Sequence, residues 1–97
     1  MNIDGKYDVK LVVMGQFQDG SIVINTQPDG SLSGTLATMG NTADYTDGTW
    51  DGKNFFMKVA VKGATLKVNG TIDEEGNIEG KAKRGVLTVA LKGKKVS

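Results

Sequence analysis

Six times in 97 residues an Asp or Asn stands directly before a glycine: Asp4-Gly5, Asp19-Gly20, Asp29-Gly30, Asp47-Gly48, Asp51-Gly52 and Asn69-Gly70. Asp and Asn tolerate left-handed backbone angles and Gly adopts them freely, so such pairs mark hairpin turns when apolar residues alternate on either side. Lys62-Gly63, Glu75-Gly76 and Arg84-Gly85 add further turn signals. Gly48 and Gly70 read instead as bends or bulges inside strands.

Between these marks the chain alternates with period two. Tyr7, Val9, Leu11 and Val13 share one face of a first segment, with Asp8 and Lys10 on the other. Similar alternation runs through Ile22 and Ile24, through Leu32, Gly34 and Leu36, and through Ala43 and Tyr45 to Trp50. It continues in Phe55, Met57, Val59 and Val61, in Leu66 and Val68, in Ile78, Gly80 and Ala82, and in Leu87, Val89 and Leu91. The only helical possibility is a single turn over 39–44. The pattern predicts about eight strands at roughly 12 residues per strand and turn, in one domain spanning residues 1–97. Short connections make each strand pair antiparallel with its neighbour. The predicted architecture is all-β, an eight-stranded antiparallel up-and-down barrel, with a two-layer β-sandwich as the alternative; closure alone removes both sheet edges.

Residues 29–36 (DGSLSGTL) echo residues 75–82 (EGNIEGKA), each reading acidic-Gly-polar-apolar-polar-Gly. Gly34 and Gly80 hold matching places, where a tightly bent barrel needs strands without a clashing Cβ.

Composition narrows the chemistry. Twelve Lys+Arg against 11 Asp+Glu give a net charge of +1, which argues against nucleic acid or an anionic membrane as the main partner. There is no Cys and no His, which removes disulfides, thiolate and imidazole metal sites, and Ser-His-Asp or Cys-His catalysis. No catalytic residue, metal ligand or cofactor is therefore assigned. The weakest alternative is a His-free acid/base enzyme built on Asp44 and Tyr45. No secretion signal is readable at the start of the chain, so a cytoplasmic location is expected. Asp44, Asp47 and Asp51 form an acidic cluster, but the latter two are explained as turn residues.

Several segments resemble a known family. Gly5-Lys6-Tyr7 looks like a variant of the Gly-x-Trp that begins the first strand of lipocalins and their calycin relatives. Residues 29–36 resemble the DG-x-LSGT hairpin of small bacterial lipocalin-like domains, and residues 50–55 (WDGKNF) the hairpin that follows it there. Gly70-Thr71-Ile72 and Ile78-Glu79-Gly80 resemble the run that closes such domains. The resemblance implies a calycin-like barrel and a non-catalytic binder of small apolar molecules.

Two functions are open. In the first, a small apolar ligand sits inside the barrel against Tyr7, Leu36, Tyr45, Trp50, Phe55 and Met57; aromatics offer broad contact with a polar handle, and Met adapts to irregular shapes. The competing reading of the same residues is an ordinary packed core. In the second, the core is solid and function lies in self-association or docking on a partner enzyme. Alternate turns of a meander share an end, so Met14, Phe17 and Met39 belong to one rim, as a portal, an interface or a cap.

Overall fold

The computed structural model describes residues 3–38, 40–61 and 63–97. The chain forms eight antiparallel strands in sequence order: β1 (Gly5–Val13), β2 (Gln16–Thr26), β3 (Leu32–Thr38), β4 (Asn41–Trp50), β5 (Asn54–Val61), β6 (Ala64–Ile72), β7 (Asn77–Arg84) and β8 (Leu87–Lys95). β8 returns to β1, with Tyr7 opposite Lys95 and Val12 opposite Ala90, so the meander closes into a barrel. The barrel, not the sandwich, is the outcome. The single helical turn expected over 39–44 does not form where the chain is described: β4 begins at Asn41, which pairs with Thr38 of β3.

Alternation places the core as the sequence implies. Tyr7, Val9, Leu11, Ile22, Ile24, Leu32, Phe55, Met57, Val59 and Ile78 all point inward and are buried. Each large apolar side chain buried this way contributes about 1.5–3 kcal/mol. Asp47-Gly48 is a bulge: Asp47 takes a positive φ of 61°, and the β3–β4 register shifts between Leu32 and Gly34.

The two ends of the barrel differ. At one end the β2–β3, β4–β5 and β6–β7 turns are each tied by an Asp. Asp29 Oδ1 accepts the Ser31 N–H at 2.9 Å. Asp51 Oδ1 accepts the Lys53 N–H at 3.0 Å and the Asn54 N–H at 2.6 Å. Asp73 Oδ1 accepts the N–H groups of Glu75 and Asn77, both at 2.9 Å. Ile3 is buried at this end beside Tyr7 and Ile72 and closes the floor. The Tyr7 hydroxyl donates to the Ile3 carbonyl at 2.8 Å, and Asp4 Oδ1 accepts the Thr26 N–H at 2.7 Å.

At the other end the described β1–β2 and β7–β8 hairpins are tight and lack an Asp. Met14 and Gly15 join β1 to β2 with φ values of 51° and 80°, the signature of a type I′ turn. Gly85, at φ 62°, opens the two-residue turn from β7 to β8. We call this end the mouth.

Closure depends on glycines that face inward where strands crowd. A Cβ at Gly93 would lie 2.0 Å from the Asp8 carbonyl oxygen and 2.7 Å from Val9 Cα, across the β8–β1 seam. Gly70 and Gly80 face each other on β6 and β7, and a Cβ on Gly80 would lie 2.7 Å from Gly70 Cα. The echoed glycines thus share a role, since a Cβ at Gly34 would likewise strike a neighbouring carbonyl, that of Val23.

Two expectations follow. Gly93→Ala drives a methyl into the backbone of β1 and should destabilise the fold by about 3 kcal/mol in urea melts; a change under about 1 kcal/mol contradicts the close approach. Hydrogen bonds from their own turns hold the carboxyls of Asp29, Asp51 and Asp73 below the ordinary value of 3.8. The folded state therefore prefers these carboxylates, and the stability they give is full above pH about 4 and lost as pH falls through the lowered folded values. Melting temperature should fall below pH 4, and the fall should be shallower in Asp51→Asn with Asp73→Asn.

Candidate functional site

The interior is solid at the closed end and hollow at the mouth. The hollow has a volume of about 160 Å³. Its apolar wall comes from Leu11 and Val13 on β1, Ala64 and Leu66 on β6, Ala82 on β7, and Leu87 and Val89 on β8. Three polar residues join them: Thr38 at the end of β3, Asn41 at the start of β4, and Arg84 at the end of β7.

Small side chains make the space. Inward positions that carry Tyr7, Leu32, Phe55 and Ile78 lower in the barrel carry Ala64 and Ala82 near the mouth. Gly20 on β2 does not line the hollow; it is a close-packed position, where a Cβ would lie 2.9 Å from the Ala37 carbonyl oxygen and 3.0 Å from Leu11 Cδ1. An apolar cavity of about 150 Å³ is enough to hold benzene, so the hollow suits a ligand of that size.

Among the described residues Thr38 is a buried polar residue. It is 6% exposed, and its Oγ1 has no hydrogen-bond partner. Most buried hydroxyls are satisfied, so such an atom needs a reason. Arg84 and Leu87 pair across the last hairpin and form an exposed lip over the hollow. No carboxylate forms an ion pair with Arg84 among the described residues; the pair they show is Lys10 with Asp19 at 2.7 Å on the outer wall.

The residues singled out from sequence fall in two groups. Tyr7, Leu36, Tyr45, Phe55 and Met57 are buried, and none of them lines the mouth hollow. The Tyr45 hydroxyl donates to the Val23 carbonyl at 2.8 Å, and burial raises the pKa of both tyrosines, with a further push on Tyr7 from Asp4 and on Tyr45 from Tyr7. Trp50 is half-buried against the core and pairs with Phe55 next to the β4–β5 turn, at the closed end. Of the rim residues, Met14 is 90% exposed and Phe17 is 72% exposed. Met39 lies outside the described residues.

Asp44 and Tyr45 do not meet as an acid/base pair. Asp44 is exposed on the outer wall, where it accepts a hydrogen bond from the Thr35 hydroxyl at 3.1 Å, whereas Tyr45 points inward. Among the described residues no group of three His, Cys, Asp or Glu side chains is placed to hold a metal ion. No helix of the described residues is long and apolar enough to cross a membrane.

Sequence reading missed Thr38, Arg84 and the small residues of the mouth. The signal was present as inward positions occupied by Ala64 and Ala82, which leave volume where aromatics remove it.

The closed meander of eight strands is consistent with a calycin-like fold. No family model matches the chain, and no curated protein matches it.

Thr38→Val keeps the shape of the side chain and deletes the unpartnered hydroxyl. It should stabilise the free protein by about 1 kcal/mol, read as a higher urea midpoint. A loss of stability would mean that the hydroxyl has a structural partner.

Proposed function

We propose that this chain is a non-catalytic, lipocalin-like module that takes a small apolar molecule at the barrel mouth. One observation carries the reading: the hollow at the mouth is apolar, benzene-sized and continuous with an exposed lip, while the large side chains lower in the barrel are buried in the core. The ligand's place thus differs from the aromatic wall expected from sequence. Its contacts are Leu11, Leu66 and Val89, with Leu87 and Arg84 at the entrance. The chain's side chains favour binding over catalysis. It has no His or Cys to act as base or nucleophile, and both tyrosine hydroxyls are held by backbone carbonyls.

Toluene near its solubility limit should raise the melting temperature, since a ligand that binds only the folded state stabilises it in proportion to occupancy. Ala64→Leu, which fills the hollow, should abolish the rise without unfolding the barrel. Fluorescence of Trp50 should not respond, because that residue sits at the far end. An unchanged melting temperature in the parent protein would remove the reading.

A second reading rests on the rim. Met14, Phe17 and Val86 are 90%, 72% and 105% exposed, large apolar groups on the adjacent β1–β2 and β7–β8 hairpins. Such a cluster fits self-association or docking on a partner protein. Under that reading sedimentation shows a dimer, or larger, that Phe17→Ser with Val86→Ser converts to a folded monomer; a monomer before and after the change opposes self-association.

A further inference from the structure

We infer that the mouth end docks on an anionic lipid surface, with Met14, Phe17 and Val86 entering the headgroup layer and Lys81, Lys83 and Arg84 lying against the lipid phosphates. The occupant differs from the protein partner considered above, and the inference does not depend on a ligand in the hollow.

A net charge of +1 averages over two unlike walls. Residues 11–52 hold five Asp and no Lys or Arg, whereas residues 53–97 hold ten Lys or Arg and four Asp or Glu. The barrel turns this division along the chain into a division in space, because β2, β3 and β4 are consecutive around it, as are β6, β7 and β8. On the basic wall like charges stand side by side: Lys67 is directly opposite Lys83, and Lys58 directly opposite Lys67. Such pairs destabilise a sheet. Lys58, Lys67, Lys81, Lys83 and Arg84 are exposed, and none forms an ion pair among the described residues. An external anionic surface offsets that repulsion.

The apolar tips adjoin this wall. β8 pairs with β1, so the β7–β8 and β1–β2 hairpins are neighbours at the mouth. Their turns expose Val86 and Met14, and Phe17 stands just behind Met14 at 72% exposure. A groove on the outer wall joins the two chemistries: Val12, Phe17 and Ala90 supply its apolar part, and Lys10, Lys81 and Lys92 its amines. Its carboxylate is Glu79, while Asp19 nearby is paired with Lys10 at 2.7 Å. Asp29, Asp51 and Asp73 are held in the turns of the closed end, away from the docking surface. Asp44 is on β4, across the barrel from β8.

This combination selects the partner. A bilayer interface accepts protruding Met, Val and Phe side chains without a shape-matched pocket, and lysines reach its phosphates on flexible stems. Nucleic acid would engage the amines but leave Met14 and Val86 in water. A mouth-to-mouth dimer would cover the tips but bring Lys83 and Arg84 against their own copies. The contact is peripheral, because Lys10, Lys81 and Lys92 on the outer wall keep the barrel itself out of the hydrocarbon.

The test sediments the full chain with vesicles at roughly 0.1 M salt, either phosphatidylcholine alone or phosphatidylcholine with about 30% phosphatidylserine. The partition coefficient should be at least roughly tenfold higher on the anionic vesicles and should fall as salt rises. Lys81→Gln with Lys83→Gln should lower it roughly tenfold, and so should Phe17→Ser with Val86→Ser. All four positions are exposed, and an unchanged melting temperature shows that each variant keeps the barrel. If the Ser pair melts early, Phe17→Gln alone replaces it. No binding to either vesicle, equal binding to both, or undiminished binding by either variant pair overturns the inference. Retention on duplex DNA with none on vesicles overturns it too. Each of these results leaves the reading of the hollow standing, because that is tested by toluene and melting temperature.

Discussion

Close backbone approach at inward-facing glycines is what the rest of this structure depends on. The β8–β1 seam passes so near Gly93 that a methyl would meet the backbone of Asp8 and Val9, and β6 and β7 meet at Gly70 and Gly80 in the same way. Without these positions the sheet cannot bend sharply enough for a 97-residue chain to bring its last strand back to its first. Closure pairs the hydrogen-bonding edges that an open meander would leave exposed. It also fixes a narrow interior, so any free volume is decided by side-chain size at each level.

That dependence explains how the two ends come to differ. Tyr7, Leu32, Phe55, Met57 and Ile78 fill the lower barrel, and Ile3 seals it. The Asp-tied turns lie at this end and hold the strands at fixed separation. Near the mouth the inward positions shrink to Ala64 and Ala82, and the wall no longer meets across the middle. The hollow, its lip and the exposed Met14, Phe17 and Val86 all belong to this end. Free volume therefore concentrates at the mouth, and the large buried side chains at the opposite end. The unpartnered Thr38 hydroxyl lies toward this end too, as a buried polar group that lowers the stability of the barrel.

Much of the fold was legible in the residues. The Asp-Gly pairs at 29–30 and 51–52 marked turns because Asp carboxylates accept their own turn's N–H groups. The inward set Tyr7, Val9 and Leu11 followed from period-two alternation. Gly48 and Gly70 were readable as intrastrand features, and the first proved to be part of a bulge. The strand from Asn41 was less legible, because a short polar stretch after a tight turn carries little alternation. The site was much less legible than the fold. Large aromatics such as Tyr45 and Phe55 suggested a ligand wall; both are buried in the core, and neither lines the mouth hollow. Which level of the barrel each residue reaches depends on strand stagger, and the sequence does not print that. Only with register known do Gly20 and Thr38 become neighbours across the β2–β3 ladder.

Xenon pressure on crystals of the protein tests the division between a packed floor and a hollow mouth most directly, because xenon enters apolar cavities without needing a specific recognition group. The account predicts anomalous density at one interior position, between Leu11, Leu66, Ala82 and Val89. Density among Tyr7, Tyr45 and Phe55, or an interior with none at all, would contradict it.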